Sequence, residues 1–336
     1  MNAAREIDRP GQHMARELCD CLPVFAAAMA QDCTALRQDL EALPPKAIFT
    51  IARGSSDAAA NVISYAAMRA KGLPVTSLPP SVFSLDTGVA MAGHMGLIIS
   101  QSGQSSDLVG ALAGIAARGG RTVAITNAMA SPVADAADCV LDISAGPEHA
   151  VPATKSVTGA LGAGAAIFAD AASIDRDLAR LQDFAPPRPA QLADLAAALA
   201  EARSIYVVGR GCGYGTAHEI ALKLKECAAL HAEAYSAAEV LHGPLQMATR
   251  AMVVLILDTG EAASRESLDI AATRFEREGA HVFRFGVDDF AGAGLMPITN
   301  AAVILRALYE VILDVALGLG LDPDSPSTLS KVTRTL

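Results

Sequence analysis

Two stretches of this chain, AIFTIARGSS (47–56) and SIYVVGRGCG (204–213), carry one pattern: an apolar, β-branched run that ends in Arg-Gly and enters a helix. They lie 157 residues apart. At the same offset, and without a gap, LIISQSG (97–103) falls on VLILDTG (254–260). With two more residues inserted, RTVAIT (121–126) falls on AHVFRF (280–285). Each half is therefore expected to run strand, glycine turn, helix, strand, polar turn, helix, strand. Such alternation predicts an α/β fold with a mostly parallel sheet and helices on both faces. Strand-turn-helix units resemble one another by chance, but a shared gapless spacing favours duplication. Between the halves, DFAPPRPAQ (183–191) places Pro186, Pro187 and Pro189 within nine residues and reads as a linker. The expected domains are 1–185, with an N-terminal helical segment, and 186–336.

The second polar turn separates the halves chemically. In the first half it reads Ser100-Gln101-Ser102-Gly103-Gln104-Ser105-Ser106; in the second, Leu257-Asp258-Thr259-Gly260-Glu261-Ala262-Ala263. Ligands of open α/β sheets sit beyond the carboxyl ends of the strands. There, helix N-termini offer unpaired N–H groups, and a glycine lets the backbone come close. Hydroxyls of Ser100, Ser102 and Ser105 with the amide of Gln101 would hold a phosphate without Lys or Arg. One serine acting as an N-cap is the simpler reading, worth about 1 kcal/mol; four serines exceed that need. The acids of the second turn would repel an anion, so phosphate is expected at the first half only. Gly54-Ser55-Ser56, after the first strand, is another polar turn on the same sheet edge.

AHEIALKLKECAAL (217–230) contains no helix breaker and is predicted helical. Glu219, Lys223 and Glu226 fall within about 60° of one another on that helix. Apolar neighbours flank the stripe. Two readings remain open: an exposed i,i+4 pair worth about 0.3–0.5 kcal/mol, or a partly buried group suited to proton transfer at carbon. His242, in VLHGPLQM, is held in a turn where its ring can titrate near neutrality. Lys331 lies in a C-terminal stretch rich in turn formers.

Composition narrows the class. The 336 residues are 52% hydrophobic and 18% charged, with no Trp and few aromatics, as close α/β packing through small side chains requires. A net charge of −10 argues against a nucleic-acid surface but leaves room for a small phosphorylated ligand. The six cysteines show neither zinc spacing nor a disulfide framework. The N-terminus lacks a signal-peptide pattern. The apolar run between Lys155 and Asp170 is shorter than the ~20 residues that span a bilayer, so it is expected to be a buried helix. A cytoplasmic protein with reduced thiols and no membrane partner is expected.

SQSGQSSD (100–107), ALKLKECAALHAEAYSAAEVLHGPL (221–245) and LSKVTRTL (329–336) resemble the sugar isomerase (SIS) domain family, over nearly the whole chain. The likeness is to the isomerase half of the glutamine–fructose-6-phosphate aminotransferases, which holds two SIS domains. It implies two tandem flavodoxin-like three-layer sandwiches. It also implies that Ser56, Ser100, Gln101, Ser102 and Ser105, with Ser55 beside them, bind the phosphate, and that Val151 and Ala153 line the sugar. Glu226 falls on the base that moves a proton between C1 and C2, with Lys223 and Glu219 beside it. His242 falls on a ring-opening histidine delivered by the neighbouring subunit, hence a homodimer with a shared site. Lys331 falls on a lysine that forms a Schiff base with the ketose. No metal or redox cofactor is implied.

Two departures shape the expected activity. No glutaminase domain precedes residue 47, and residue 2 is Asn rather than that domain's cysteine, so no internal source of ammonia is expected. Ala153 stands where the aminotransferases place a serine, and AGPEHAVPATKS (145–156) is more like the stand-alone SIS-type amino-sugar-phosphate deaminases. The resemblance therefore implies deamination of glucosamine 6-phosphate to fructose 6-phosphate and ammonia. Galactosamine 6-phosphate and a phosphorylated fructosamine are the alternative substrates. Plain aldose–ketose isomerisation and a non-catalytic sugar-phosphate sensor are the alternative functions.

Overall fold

The structure is a computed structural model and describes residues 9–331. Helices α1 (Gln12–Met29) and α2 (Thr34–Ala42) lead into β1 (Ile48–Ile51), α3 (Ser55–Lys71), β2 (Val75–Ser77), α4 (Ser81–Ser84), β3 (Met95–Ser100), α5 (Ser106–Ala116), β4 (Arg121–Thr126), α6 (Pro132–Ala136) and β5 (Cys139–Asp142). Helices α7 (Lys155–Phe168) and α8 (Ala171–Leu181) follow. After an irregular stretch come α9 (Gln191–Glu201), β6 (Ile205–Gly209), α10 (Cys212–Ala228), β7 (Ala232–Ser236), β8 (Val253–Leu257), α11 (Ala262–Arg277), β9 (His281–Phe285) and α12 (Pro297–Gly318).

All strand pairs are parallel, in the orders β2-β1-β3-β4-β5 and β7-β6-β8-β9. The two sheets share the order of their first four strands. Their glycine turns match in backbone too: Gly54 has φ 55°, ψ −130° and Gly211 φ 60°, ψ −131°. A left-handed φ with that ψ is open to glycine and strained for other residues.

The gapless part of the overlay needs correction. Ile48 and Ile205 both face the same core, at the expected offset of 157, but β3 matches β8 at 158, Met95 with Val253. Strand β4 matches β9 at 160, Arg121 with His281. A one-residue slip turns every side chain to the other face. Leu97 points into the large core, whereas Val254, its partner in the gapless overlay, points into a smaller one. The polar turn of the second half is in turn two residues shorter: Ser100 to Ser105 is replaced by Asp258 to Glu261. Strands β2, β5 and β7 are short and only partly buried, and hydrophobic patterning did not mark them.

The large core joins the halves. Leu97, Ile99, Val123 and Ile125 of the first sheet and Val207, Leu255, Phe283 and Phe285 of the second face one cluster containing α1, α3, α7, α10 and α12. The outer face of the first sheet packs on Leu108, Leu112 and Ile115 of α5, and that of the second on Leu268, Ala272 and Phe275 of α11. Each sheet is thus covered on both faces, and the middle helical layer is common. Small residues let that layer close up. At Gly162 of α7, a Cβ would lie 2.2 Å from the Phe25 carbonyl oxygen; at Gly215 of α10, 2.6 Å from the Val62 backbone nitrogen. Helix α7 is buried throughout, as its apolar run predicts. No helix among the described residues is long and apolar enough to cross a membrane.

Candidate active site

The first sheet runs β2-β1-β3, so the chain leaves β1 on one side and builds β3 on the other. The crevice beyond the carboxyl ends of β1 and β3 is the switch point where ligands of open α/β sheets sit. Both polar turns of the first half line it.

In the β3–α5 turn, Gly103 has φ +64°, and a Cβ there would lie 2.2 Å from Ser131 Oγ. Its N–H donates to Ser100 Oγ at 3.2 Å, and the Gln104 N–H to Ser102 Oγ at 3.4 Å. Ser105 occupies the N-cap of α5 with extended backbone, yet its side chain makes no capping hydrogen bond. The N-cap reading of this serine is therefore not the one the fold uses. The positive end of α5 favours an anion, and Ser105 stands at it. Arg53, half-exposed at the end of β1, donates through Nε to Asp107 Oδ2 at 2.7 Å and clasps the two turns together.

Helix α10 begins five residues earlier than the pattern indicated and stops at Ala228, where Ala229 turns left-handed with φ 53°. The stripe on it is a buried group, not a solvated pair. Lys223 is fully buried between Glu219 and Glu226; its Nζ lies 3.2 Å from Glu219 Oε1 and donates to Glu226 Oε2. Its third hydrogen bond is to Ser55 Oγ of α3, at 2.7 Å. Glu219 also accepts from the Tyr309 hydroxyl of α12 at 2.9 Å. Burial pushes the Glu219 carboxyl up to about 7, against the opposing pull of Lys223. Burial disfavours the Lys223 ammonium, but the two carboxylates outweigh it and hold the group above the ordinary lysine value. Two acids around one cation in a dry setting are neutral as a set when one acid keeps its proton. Glu226 is the member that reaches solvent, with 27% of its side chain exposed.

Glu226 opens into a cavity of about 400 Å³, shared with Lys225 and Cys227 on one side and with residues 325–329 of the C-terminal stretch on the other. That stretch is tied down at its end. Lys331 Nζ donates to Glu148 Oε2 at 2.9 Å and to the Ala150 carbonyl at 2.7 Å. Glu148 is buried, and it also accepts from the Thr154 and Ser156 N–H groups, each at 3.0 Å, and from Ser156 Oγ at 2.7 Å. Burial alone would raise this carboxyl; Lys331 and those N–H groups hold it below the usual range. The loop bearing Val151 and Ala153, both half-buried, thus meets the stretch that walls the Glu226 cavity.

Glu219, Lys223, Glu226 and Ser55 touch directly or through one shared group. Ser56, Ser100, Gln101, Ser102 and Ser105 stand in the adjoining turns, and Val151, Ala153 and Lys331 at the wall. His242 is not joined to them: it is exposed, after a short 3-10 turn, and among the described residues its ring makes no hydrogen bond. Residues 332–336 of the LSKVTRTL stretch lie outside the described residues. Sequence reasoning missed Glu148, Tyr309 and the Arg53–Asp107 clasp. Asp107 stands inside the quoted SQSGQSSD motif and could have been read; Tyr309, 90 residues from Glu219, gave no local signal.

A family model described as SIS domain matches residues 43–169 and 198–285. The isomerizing glutamine–fructose-6-phosphate aminotransferase of Methanothermobacter thermautotrophicus is 31% identical over 300 residues, covering 84% of this chain and 50% of that protein. The chain thus spans half the length of that relative. The crystal structure of a candidate phosphosugar isomerase from Silicibacter pomeroyi superposes with a TM-score of 0.79 at 30% identity, covering 93% of this chain and 99% of that one. That of glucosamine-6-phosphate deaminase from Thermotoga maritima gives 0.72 at 19% identity, with 96% and 100% covered, a likeness of fold.

Proposed function

We propose that this chain, which belongs to the SIS domain family, is an amino-sugar-phosphate deaminase converting glucosamine 6-phosphate and water to fructose 6-phosphate and ammonia. The observation that carries the reading is the Ser55–Lys223–Glu226 chain of contacts. It couples a partly buried carboxylate to the edge of an anion-ready crevice. The departures at Ala153 and in AGPEHAVPATKS favour ammonia release over ammonia transfer.

The phosphate sits in the hydroxyl turn of Ser100, Gln101, Ser102 and Ser105, which fixes the distance from C6 to the reacting carbons. With the ring open, Glu226 takes the C2 proton while the C1 carbonyl oxygen is protonated, giving a 1,2-enolamine. Glu226 returns its proton to C1, the nitrogen loses one, and a C2 imine results. Water adds at C2 and ammonia leaves, forming the ketone. Lys223, hydrogen-bonded to Glu226, holds its carboxylate aimed. Lys331, engaged with Glu148 and the Ala150 carbonyl, acts as a charged donor at the substrate's head end. His242, exposed on its own chain, serves the ring-opening step from a second subunit in a homodimer.

The test is a panel of glucosamine 6-phosphate, galactosamine 6-phosphate, a 6-phosphofructosamine and glucose 6-phosphate, followed by coupled detection of ammonia and fructose 6-phosphate. Equal yields of both products from glucosamine 6-phosphate are expected. Ketose formed from glucose 6-phosphate with no ammonia from any amine would replace deamination by plain isomerisation; binding without turnover of any member would make the chain a sensor.

A further inference from the structure

The duplicated fold places a second crevice beyond β6 and β8, related to the first by the same offset of 157 that joins Gly54 to Gly211. In that relation Ser55 corresponds to Cys212, Ala66 to Lys223 and Arg69 to Glu226. Helices α3 and α10 pack antiparallel around the relating axis: Gly215 meets Ala58 and Val62, Leu222 meets Gly54, and Cys212 Sγ donates to the Val62 carbonyl at 3.7 Å. Each helix therefore carries its twelfth and fifteenth residues over the other half's crevice. Lys223 and Glu226 of α10 reach the first crevice; Ala66 and Arg69 of α3 reach the second, where they line a cavity of about 270 Å³ with Cys212, Phe168, Met296 and Ile298.

The second crevice already holds an anion. Because its polar turn is two residues shorter, the N-cap of α11 is Glu261, and its carboxylate is buried at the N-terminus of α10. Cys212 N–H donates to Oε1 at 3.2 Å and to Oε2 at 3.1 Å; Thr259 Oγ1 donates to Oε2 at 3.0 Å; Arg69 Nη1 lies 3.3 Å from Oε1. The fit is close: a Cβ on Gly211 would lie 2.3 Å from Oε2.

We infer that Glu261 is a positioning residue for catalysis, supplying within the chain, at the second crevice, the negative charge that the substrate's phosphate supplies at the first. Its carboxylate accepts from the buried Cys212 N–H and neutralises the positive end of α10, and Arg69 ties it to α3. The α3–α10 pair is thus pinned at both ends, by Arg69–Glu261–Cys212 at one and by Ser55–Lys223 at the other, about 16 Å away along α10. That pinning sets the axial position of α10 and so the reach of Glu226 toward the sugar. The inference rests on the reading of α10 as the catalytic helix.

The test is chemical rescue. Glu261→Ala is compared with wild type and Glu261→Gln in sodium acetate and in sodium chloride of equal ionic strength. The readouts are glucosamine 6-phosphate turnover, Tm and hydrogen exchange of the α10 amides. In Glu261→Ala, kcat falls at least tenfold with KM within twofold, Tm falls and α10 exchange quickens. Acetate, not chloride, then reverses all three saturably, while wild type and Glu261→Gln ignore acetate. An unchanged kcat, or losses that acetate does not recover, overturns the inference. If Glu261→Ala does not fold, Arg69→Gln decides: a roughly threefold lower kcat at unchanged KM supports the pinning, and an unchanged kcat overturns it. A wild-type protein that releases no ammonia refutes the deaminase reading alone, and the acetate dependence of Tm and α10 exchange then decides whether Glu261 holds α10.

Discussion

Lys223 Nζ donates to Ser55 Oγ at 2.7 Å, joining residues 168 positions apart and belonging to opposite halves of the chain. The bond fixes the buried ammonium on the line between the anion-ready crevice and Glu226. It converts a helix stripe and a strand-end turn, each unremarkable alone, into one site.

Glu226→Gln keeps the shape of the side chain and removes the proposed base. Turnover of glucosamine 6-phosphate is expected to fall by about 10²–10⁴-fold, with sugar-phosphate affinity by calorimetry within a few-fold of wild type. Solvent deuterium incorporation at C1 of the product would disappear with turnover. Wild-type rates in this variant would remove Glu226 from the mechanism.

Removing the ammonium while keeping its volume tests the triad as a unit. Lys223→Met leaves Glu219 and Glu226 without their cation, and a broken buried pair costs about 3–5 kcal/mol. Adding Glu219→Gln should recover part of that loss, so the double variant is more stable than the sum of the singles predicts. Strict additivity in urea melts would mean that Lys223 and Glu219 are not energetically coupled.

Glu219 also sets a pH signature. Its folded pKa, about 7, lies above its ordinary value of 4.5, so between those limits the folded chain binds a proton that the unfolded chain releases. Stability from this group is fully present below pH 4.5 and is lost as pH rises through 7. Glu219→Gln, permanently neutral, should lose less stability than wild type across that window. Parallel Tm–pH curves for the two proteins would contradict the assignment.

The wall of the Glu226 cavity depends on Lys331. Lys331→Met strands the buried Glu148 carboxylate with only neutral donors, so Tm should fall and the residues after Asp324 should be cut by protease faster than in wild type. KM should rise more than kcat falls. Equal protease resistance would show that the Glu148 and Ala150 contacts do not hold the wall.

Gly215 of α10 lies directly against the backbone of α3. Gly215→Ala puts a methyl 2.6 Å from the Val62 backbone nitrogen and 2.9 Å from the Ala58 carbonyl oxygen, neither of which can rotate away. Overpacking of this kind costs about 1–3 kcal/mol, and the helices must part, lengthening Lys223–Ser55. A lower Tm together with lower kcat is expected. A rise in stability, as helix propensity alone would give, would mean the contact is looser than described.

The sequence by itself determined the architecture. Strand composition, glycine turns and their spacing called for two parallel sheets of one plan, because those signals are local and each element writes its own pattern. It also located the hydroxyl turn and the charged stripe, since residue type and helical period are readable without neighbours. Only the tertiary structure decided whether that stripe was wet or dry: burial of Lys223 comes from α3 and α12, which lie far away along the chain. The register between the halves was likewise invisible. Facing and opposing residues in a strand differ by a single position, and only packing against a core says which is which. Glu148, Tyr309 and the placement of Glu261 against Cys212 are long-range pairings of the same sort, in which polar groups find partners through the fold rather than through proximity in the chain. His242 shows the limit from the other side: one chain leaves it exposed, and the geometry of that chain alone gives it nothing to act on.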